Sequence, residues 1–343
     1  MFKVTVIGHF GYGLEYFDGQ TVKTKKVTNE LIRQFGEKNI KTIDTHGGLK
    51  TLLRAPVDIF SCAANSENIV VLPAQNGLKV YAPLIRLAKR FHRVKTHYVV
   101  IGGWVGGFLE KSKRLRKNVS FFDGIYVETN TMKRSLESMG LNNIYVLPNF
   151  KENQPTQKND FALSSPYPLC TFSRVMKQKG IEDAVKAVNY INKSKNRQVF
   201  SLDIYGPVDK QETEWFEKLK KEFGDCIKYK GSVRSSESSK VLGSYFALLL
   251  PTHFFTEGIP GTIIDAYAAG VPVICSKWKN FSDVVDDNVT GIGYEFNSQD
   301  GLLKALEYIA DNPEVLLNMR NNCLEKFKNY LPEEAMKPLI SRM

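Results

Sequence analysis

The sequence predicts an α/β protein built from two Rossmann-like, doubly wound parallel sheets. Three observations predict it. Short β-branched runs alternate with helix-length segments along almost the whole chain. The alternation stops once, at the polar, proline-bearing stretch FKENQPTQKND that begins at Phe150, and then resumes. Finally, 343 residues exceed what one ordinary core holds. The expected division is a domain over 1–150, a linker over 151–167 and a second domain over 168–328. The tail 329–343 is expected to return to the first domain. Two such sheets joined by one linker are expected to face a central cleft at the carboxyl ends of their strands.

In the first half, KVTVIG (3–8) reads as a strand ending in glycine. A helix follows over 21–37, with Val22, Val27, Leu31, Ile32 and Phe35 near helical spacing. Strands are predicted at 40–45, 68–73, 96–102, 124–129 and 143–149, with a basic helix at 80–93 and another at 131–139. In the second half, strands are predicted at 168–174, 198–206, 227–233, 245–251, 271–276 and 291–296. Helices at 180–193, 211–223 and 235–243, one from near Gly261, and two at 299–311 and 313–328 complete the series. YFALLLP (245–251) is too continuously apolar for a half-exposed strand and suits one buried on both faces.

Bulk properties exclude several classes. Apolar residues make up 43% and charged residues 24%, as in a globular protein. The five cysteines are odd in number and widely spaced, and none forms C-x-x-C, which disfavours a disulfide framework or a zinc site and fits a reducing cytosol. The N-terminus reads as strand and loop rather than a signal peptide, and no apolar run reaches spanning length. A cytoplasmic location, with peripheral attachment to the inner face of a membrane, is the expectation. The net charge of +11 is lopsided: residues 1–150 carry 22 Lys+Arg against 11 Asp+Glu, while the remainder is balanced. That asymmetry suggests an acidic partner for the first half, whether nucleic acid, anionic lipid or a phosphorylated substrate, with a merely soluble basic domain as the alternative.

The most informative stretch is THFFTEGIPGTIIDAYAAGVPVICS (252–276). It leaves a buried strand, crosses a loop with Glu257, Gly258, Ile259, Pro260 and Gly261, and enters a helix through Thr262 towards Asp265. Glycines let backbone approach a ligand closely, proline suits a helix start, and the first turn of a helix attracts anions. A carboxylate at Asp265 is placed to accept from a vicinal diol such as a ribose, and Glu257 to meet another hydroxyl. The ordinary alternatives are a dipole-complementing Asp and a solvated loop Glu. In FSRVMKQKG (172–180), Arg174 and Lys179 follow a strand end, where a diphosphate would sit, with a pair of exposed loop charges as the ordinary alternative. In GHFGYGLEYFDGQTVKT (8–24), a glycine-rich loop with Gly19 leads into a helix, but the full G-x-G-x-x-G fingerprint is missing, which disfavours a hydride-transfer cofactor. No D-x-D metal motif occurs.

Taken in order, SRVMKQKG, LDIYG, YKGSV, LLLPTHFFTEGIPGTIIDAYAAGVPVICS and VVDDNVTGIGYEF resemble glycosyltransferase family 4, the retaining, sugar-nucleotide-dependent enzymes of the GT-B fold. The resemblance covers about 168–330 well and the first half more weakly. It implies that Arg174 and Lys179 contact the donor diphosphate, Glu257 the donor sugar and position 265 the ribose hydroxyls. Gly19 would approach the donor phosphates, alongside Gly258, Ile259, Pro260, Gly261 and Thr262. Three positions depart from the family pattern. Asp265 is one methylene shorter than the usual Glu, Ser173 stands where Gly is common, and Gly102, Gly103 and Trp104 occupy the place of a first-domain His. His9 is the remaining candidate on the sugar side, with a structural histidine as the alternative.

The resemblance implies transfer of a sugar from a nucleotide-diphosphate donor to a hydroxyl of a glycan or lipid-linked acceptor, in capsule, exopolysaccharide or O-antigen synthesis. It implies no cofactor and no metal, the departing charge being met by Arg174, Lys179 and helix N–H groups. A sugar-nucleotide epimerase and a non-catalytic sugar-nucleotide-binding subunit are the alternatives. Nucleic acid is disfavoured as a partner, since no recognised module accompanies the charge. The basic clusters at 86–95 and 110–117, the second preceded by Trp104, Phe108 and Leu109, are expected to meet an anionic membrane, with solvated faces and buried aromatics as the alternative.

Overall fold

The computed structural model describes residues 1–12, 19–152, 155 and 164–343. Most of the glycine-rich turn before Gly19, and much of the expected linker, lie outside the described residues. The chain forms two compact units, one of Met1–Asn149 with Pro332–Met343 and one of Phe150–Leu331.

Unit 1 contains β1 (Phe2–Gly8), β2 (Ile40–Asp44), β3 (Ser66–Leu72), β4 (Lys95–Val99), β5 (Gly124–Val127) and β6 (Ile144–Val146). All pair in parallel, in the order β2-β1-β3-β4-β5-β6. Val4, Val6, Val70 and Val71 are fully buried, because helices cover both faces of the sheet.

Several elements differ from the sequence expectation. A helix spans Leu49–Asn65, where Pro56 interrupts the helical pattern. It forms because Ala55, Ile59 and Cys62 bury completely against the sheet, and packing outweighs the lost N–H. The basic helix runs over Gln75–Ala88 rather than 80–93. It ends in a tightened turn in which the N–H groups of Arg90 and Phe91 donate to the carbonyls of Leu87 and Ala88. Lys89 and Arg90 therefore stand on a turn and Arg93 just beyond it, not on a helix face, while Lys95 opens β4. Two short helices follow: Val105–Glu110 in the glycine-broken stretch and Lys113–Val119 in the basic cluster after it. The tail is helical over Pro332–Ile340 and packs on the helix Gly19–Phe35, with Arg33 3.1 Å from Glu333. Beyond it the Arg342 guanidinium lies over the Tyr145 ring, 3.6 Å from its centre.

Unit 2 contains β7 (Tyr167–Phe172), β8 (Phe200–Tyr205), β9 (Ile227–Gly231), β10 (Ala247–Leu250), β11 (Val273–Ser276) and β12 (Gly291–Tyr294). They pair in parallel in the order β12-β11-β10-β7-β8-β9. Side chains alternate between two cores. Leu169, Leu249 and Ile274 bury on one face, and Cys170, Leu248, Leu250, Val273 and Cys275 on the other. The order reverses between β7 and β10. From β7 the chain crosses towards β8 and β9, and from β10 towards β11 and β12. Such a reversal leaves a crevice at the carboxyl ends of the two central strands. Each unit is thus a doubly wound parallel sheet.

Candidate active site

The two loops that leave β7 and β10 meet at this reversal. The His253 N–H donates to the carbonyl of Gln178 at 2.9 Å, tying one loop to the other. Gly180 makes the approach possible. Its φ is +69°, and a Cβ there would lie 1.9 Å from the Pro251 carbonyl oxygen. Gly206, after β8, plays the same part: a Cβ there would lie 1.8 Å from the carbonyl oxygen of Ser173.

The loop from Thr252 to Pro260 is held from below. Ser276 Oγ donates to the Thr252 carbonyl at 2.6 Å, and Asn280 Nδ2 to the Glu257 carbonyl at 2.5 Å. This scaffold brings Lys179 Nζ to 2.6 Å from Glu257 Oε2, with side-chain exposures of 15% and 19%. Thr252 Oγ1 lies 3.4 Å from the same carboxylate oxygen, and the Phe254 ring sits 4.9 Å from the ammonium. The pair is too enclosed to count as a screened surface bridge. Arg174 stands in a more open position, its side chain 47% exposed and 3.5 Å from Asp209.

Directly after the loop comes the helix Gly261–Ala268. Pro260 precedes it in extended conformation and provides no side-chain cap. Gly258, Ile259 and Pro260 are buried, whereas Gly261 and Thr262 are half-buried at the helix start. Thr262 Oγ1 is itself buried and has no partner among the described residues. A first turn of this kind is suited to an anion.

Asp265 is only 2% exposed and forms an ion pair with Lys151 Nζ. Lys151 is fixed in turn by its own N–H, which donates to the Tyr330 carbonyl at 3.1 Å. The sequence assigned Lys151 to the linker. No periodicity or motif marks it, and only the return of the chain beside Tyr330 places it against the helix. Thr252, Asn280 and Ser276 were likewise not singled out, since their contribution is to hold loop carbonyls.

The remaining candidates belong to unit 1. Gly19 opens the helix Gly19–Phe35, is exposed, and has nothing within 4 Å of where a Cβ would stand. His9 Nδ1 lies 2.7 Å from Thr21 Oγ1 and Nε2 lies 3.0 Å from His46 Nδ1. Asp44 underlies this cluster. Burial pushes its carboxyl up, but the N–H groups of His46, Phe10, Tyr12 and Gly11 outweigh that and hold it below the usual carboxylate range. The expected membrane-inserting group is corrected. Leu109 is fully buried, Trp104 and Phe108 pack partly buried against the same core, and Trp104 Nε1 donates to the Ile101 carbonyl at 2.7 Å. The apolar character of these three serves packing.

Unit 2 is thus a doubly wound α/β sheet with the ion pairs Lys179–Glu257 and Lys151–Asp265 near its strand-order reversal. Comparison with known proteins makes the class specific. Residues 153–327, just over half of the chain, match the family described as glycosyl transferases group 1, and the chain belongs to that family. A curated relative, the amylovoran biosynthesis glycosyltransferase AmsK of Erwinia amylovora, is 24% identical over 195 residues, covering 53% of this chain and 46% of the relative. The alpha-monoglucosyldiacylglycerol synthase of Acholeplasma laidlawii is 30% identical over 169 residues, covering 48% and 40%. The matches thus span less than half the length of these curated relatives. Among solved structures, Anabaena Alr3699/HepE in complex with UDP and glucose is similar with a TM-score of 0.72 at 12% identity, covering 100% of this chain and 99% of that one. That likeness establishes the GT-B fold class.

Proposed function

We propose that the protein is a retaining family 4 glycosyltransferase. It would move a sugar from a nucleotide-diphosphate donor to a hydroxyl of a glycan or lipid-linked acceptor in the assembly of a surface polysaccharide or glycolipid. The observation that carries this reading is the enclosed Lys179–Glu257 pair, in the loop that leads into the helix Gly261–Ala268. The names of the two curated relatives support the acceptor classes, and the UDP and glucose bound by the structural neighbour support a sugar nucleotide.

In the proposed reaction the bond from the anomeric carbon to the diphosphate oxygen breaks, and the nucleoside diphosphate leaves with the electron pair. The acceptor oxygen bonds that carbon from the face the diphosphate leaves and passes its proton to the departing diphosphate oxygen, so that anomeric configuration is retained. Lys179 and Arg174 would meet the growing charge on the departing diphosphate, together with the first-turn N–H groups of Gly261 and Thr262. Because cations meet that charge, the reaction is proposed to need no metal. Glu257 would orient Lys179 and accept from a sugar hydroxyl. Asp265 would accept from the ribose, with Lys151 beside it as a further donor to ribose or phosphate oxygen.

The test is thermal melting of the purified chain with a panel of sugar nucleotides and their bare diphosphates. Incubation of the stabilising donor with candidate acceptors, with and without chelator, follows. Stabilisation by one nucleotide series, acceptor-dependent release of its diphosphate and a product of unchanged anomeric configuration are expected. Interconversion of free sugar nucleotides without an acceptor would indicate an epimerase instead. Binding without turnover under any condition would indicate a non-catalytic subunit.

A further inference from the structure

Unit 1 presents an apolar surface that its own core does not use. On the helix Leu49–Asn65, Ala55, Ile59 and Cys62 are buried, while Leu53 and Val57 are 73% and 72% exposed. At about 100° per residue, Leu53, Val57 and Phe60 fall on one stripe; Leu53 and Val57 face away from the core, while Phe60 packs partly buried against it. A helix with apolar side chains on both faces has apolar matter to meet on both. The stripe continues onto the turn after the neighbouring helix Gln75–Ala88. There Phe91 is 69% exposed, with its ring centre 6.2 Å from that of Phe60. Arg90 and Arg93, both exposed, flank Phe91. Farther along, the Arg86 guanidinium covers the ring of Phe121, which is 42% exposed.

We propose that this face of unit 1 docks on an anionic lipid surface. Leu53, Val57 and Phe91 enter the boundary of the acyl chains, and Arg90 and Arg93 lie among the headgroup phosphates. The charge argues for lipid phosphate as the complement. In the segment 86–95, which holds no acid, Lys89 is paired with Asp123 at 2.6 Å and Lys95 donates to the Arg342 carbonyl at 3.0 Å, so the charge offered is that of Arg90 and Arg93, within a half of the chain where cations outnumber acids two to one. The exposed aliphatic side chains argue for an apolar phase behind that charge, since salt-screened cations alone would not need them. The surface differs from the one expected from Trp104, Phe108 and Leu109. It stands independently of the proposed reaction, because lipid binding is read without any substrate.

The experiment is co-sedimentation of the full chain with vesicles of phosphatidylcholine alone and of phosphatidylcholine with phosphatidylglycerol. Binding is expected to the anionic vesicles only and to weaken as salt rises. Replacing Arg90 and Arg93 with Gln should lower partitioning about fivefold per charge. The triple variant Leu53→Ser, Val57→Ser, Phe91→Ser should lose at least about tenfold, with an unchanged melting temperature. The Leu53→Trp variant should give a blue-shifted emission on anionic vesicles, since Trp104, Trp215 and Trp278 lie elsewhere. Three results would each overturn the proposal. One is equal binding to neutral vesicles, another is full binding by the triple variant. The third is a self-associated chain in which vesicles leave the emission of the Leu53→Trp variant unshifted, which would make the face an interface between copies.

Discussion

Lys179 Nζ lies 2.6 Å from Glu257 Oε2 although 78 positions separate the two residues in the chain. The pair exists because Gly180 lets the loop after β7 pass against Pro251, at the start of the loop after β10. A cation already oriented by a carboxylate needs little rearrangement when a diphosphate departs, and preorganisation of this kind acts mainly in the transition state.

Lys179→Ala should therefore lower kcat on the order of 100- to 1,000-fold while raising the donor KM less. The double variant with Glu257→Gln should lose less than the two single losses combined, since the residues act through one contact. Arg174→Lys should be milder than Arg174→Ala, because charge is kept and only the planar fork is lost. Steady-state kinetics on folded variants checks all three. Near-normal turnover in Lys179→Ala would remove the main support for the diphosphate site.

Asp265 and Lys151 form a buried pair, so removing either partner strands the other. Asp265→Ala should weaken binding of the bare nucleoside diphosphate and cost roughly 3–5 kcal/mol of unit 2 stability. The double variant Asp265→Leu, Lys151→Met should recover much of that stability without recovering nucleotide affinity. Denaturant unfolding and calorimetry separate the two effects. Unchanged affinity for the bare nucleotide in Asp265→Ala would exclude the ribose role.

Gly180→Ala combines a left-handed backbone, about 1–2 kcal/mol for a residue with a Cβ, with collision against the Pro251 carbonyl. Melting should fall, and the donor KM should rise because the loops carrying Lys179 and Glu257 part. Gly19→Ala is the control. Nothing crowds that position, and its melting temperature should stay within a degree or two of the parent's. Equal melting of Gly180→Ala and the parent would show that the close approach is not required.

His97 is buried in unit 1, with Tyr126 Oη 3.0 Å from Nδ1 and Asn68 Oδ1 3.1 Å from Nε2. Burial lowers its pKa to about 4. In the unfolded chain the value is about 6.5, so the unfolded state binds the proton first as pH falls. The contribution is complete above about pH 6.5 and is lost progressively as pH falls towards 4, by about 3 kcal/mol in all. His97→Gln should flatten the stability profile across that window. An unchanged slope from pH 6.5 to 4 in that variant would assign the acid sensitivity to other groups.

The sequence alone determined the two-sheet architecture. In β10, ALLL is apolar at every position, and only a strand covered on both faces buries such a run. The local punctuation of Glu257, Pro260 and Gly261 also fixed where the helix Gly261–Ala268 begins, because proline and glycine act through their own backbones. Tertiary structure alone decided what no local pattern encodes. Pro56 stands inside a helix because the sheet beneath it rewards Ala55, Ile59 and Cys62 more than the missing N–H costs. Leu109 reads as exposed beside a basic cluster but is buried, since burial depends on which neighbour a face meets. Lys151 finds Asp265 only because the chain returns beside Tyr330. Periodicity reports the shape of one element at a time, whereas an ion pair between distant residues is set by how the sheet orders its strands.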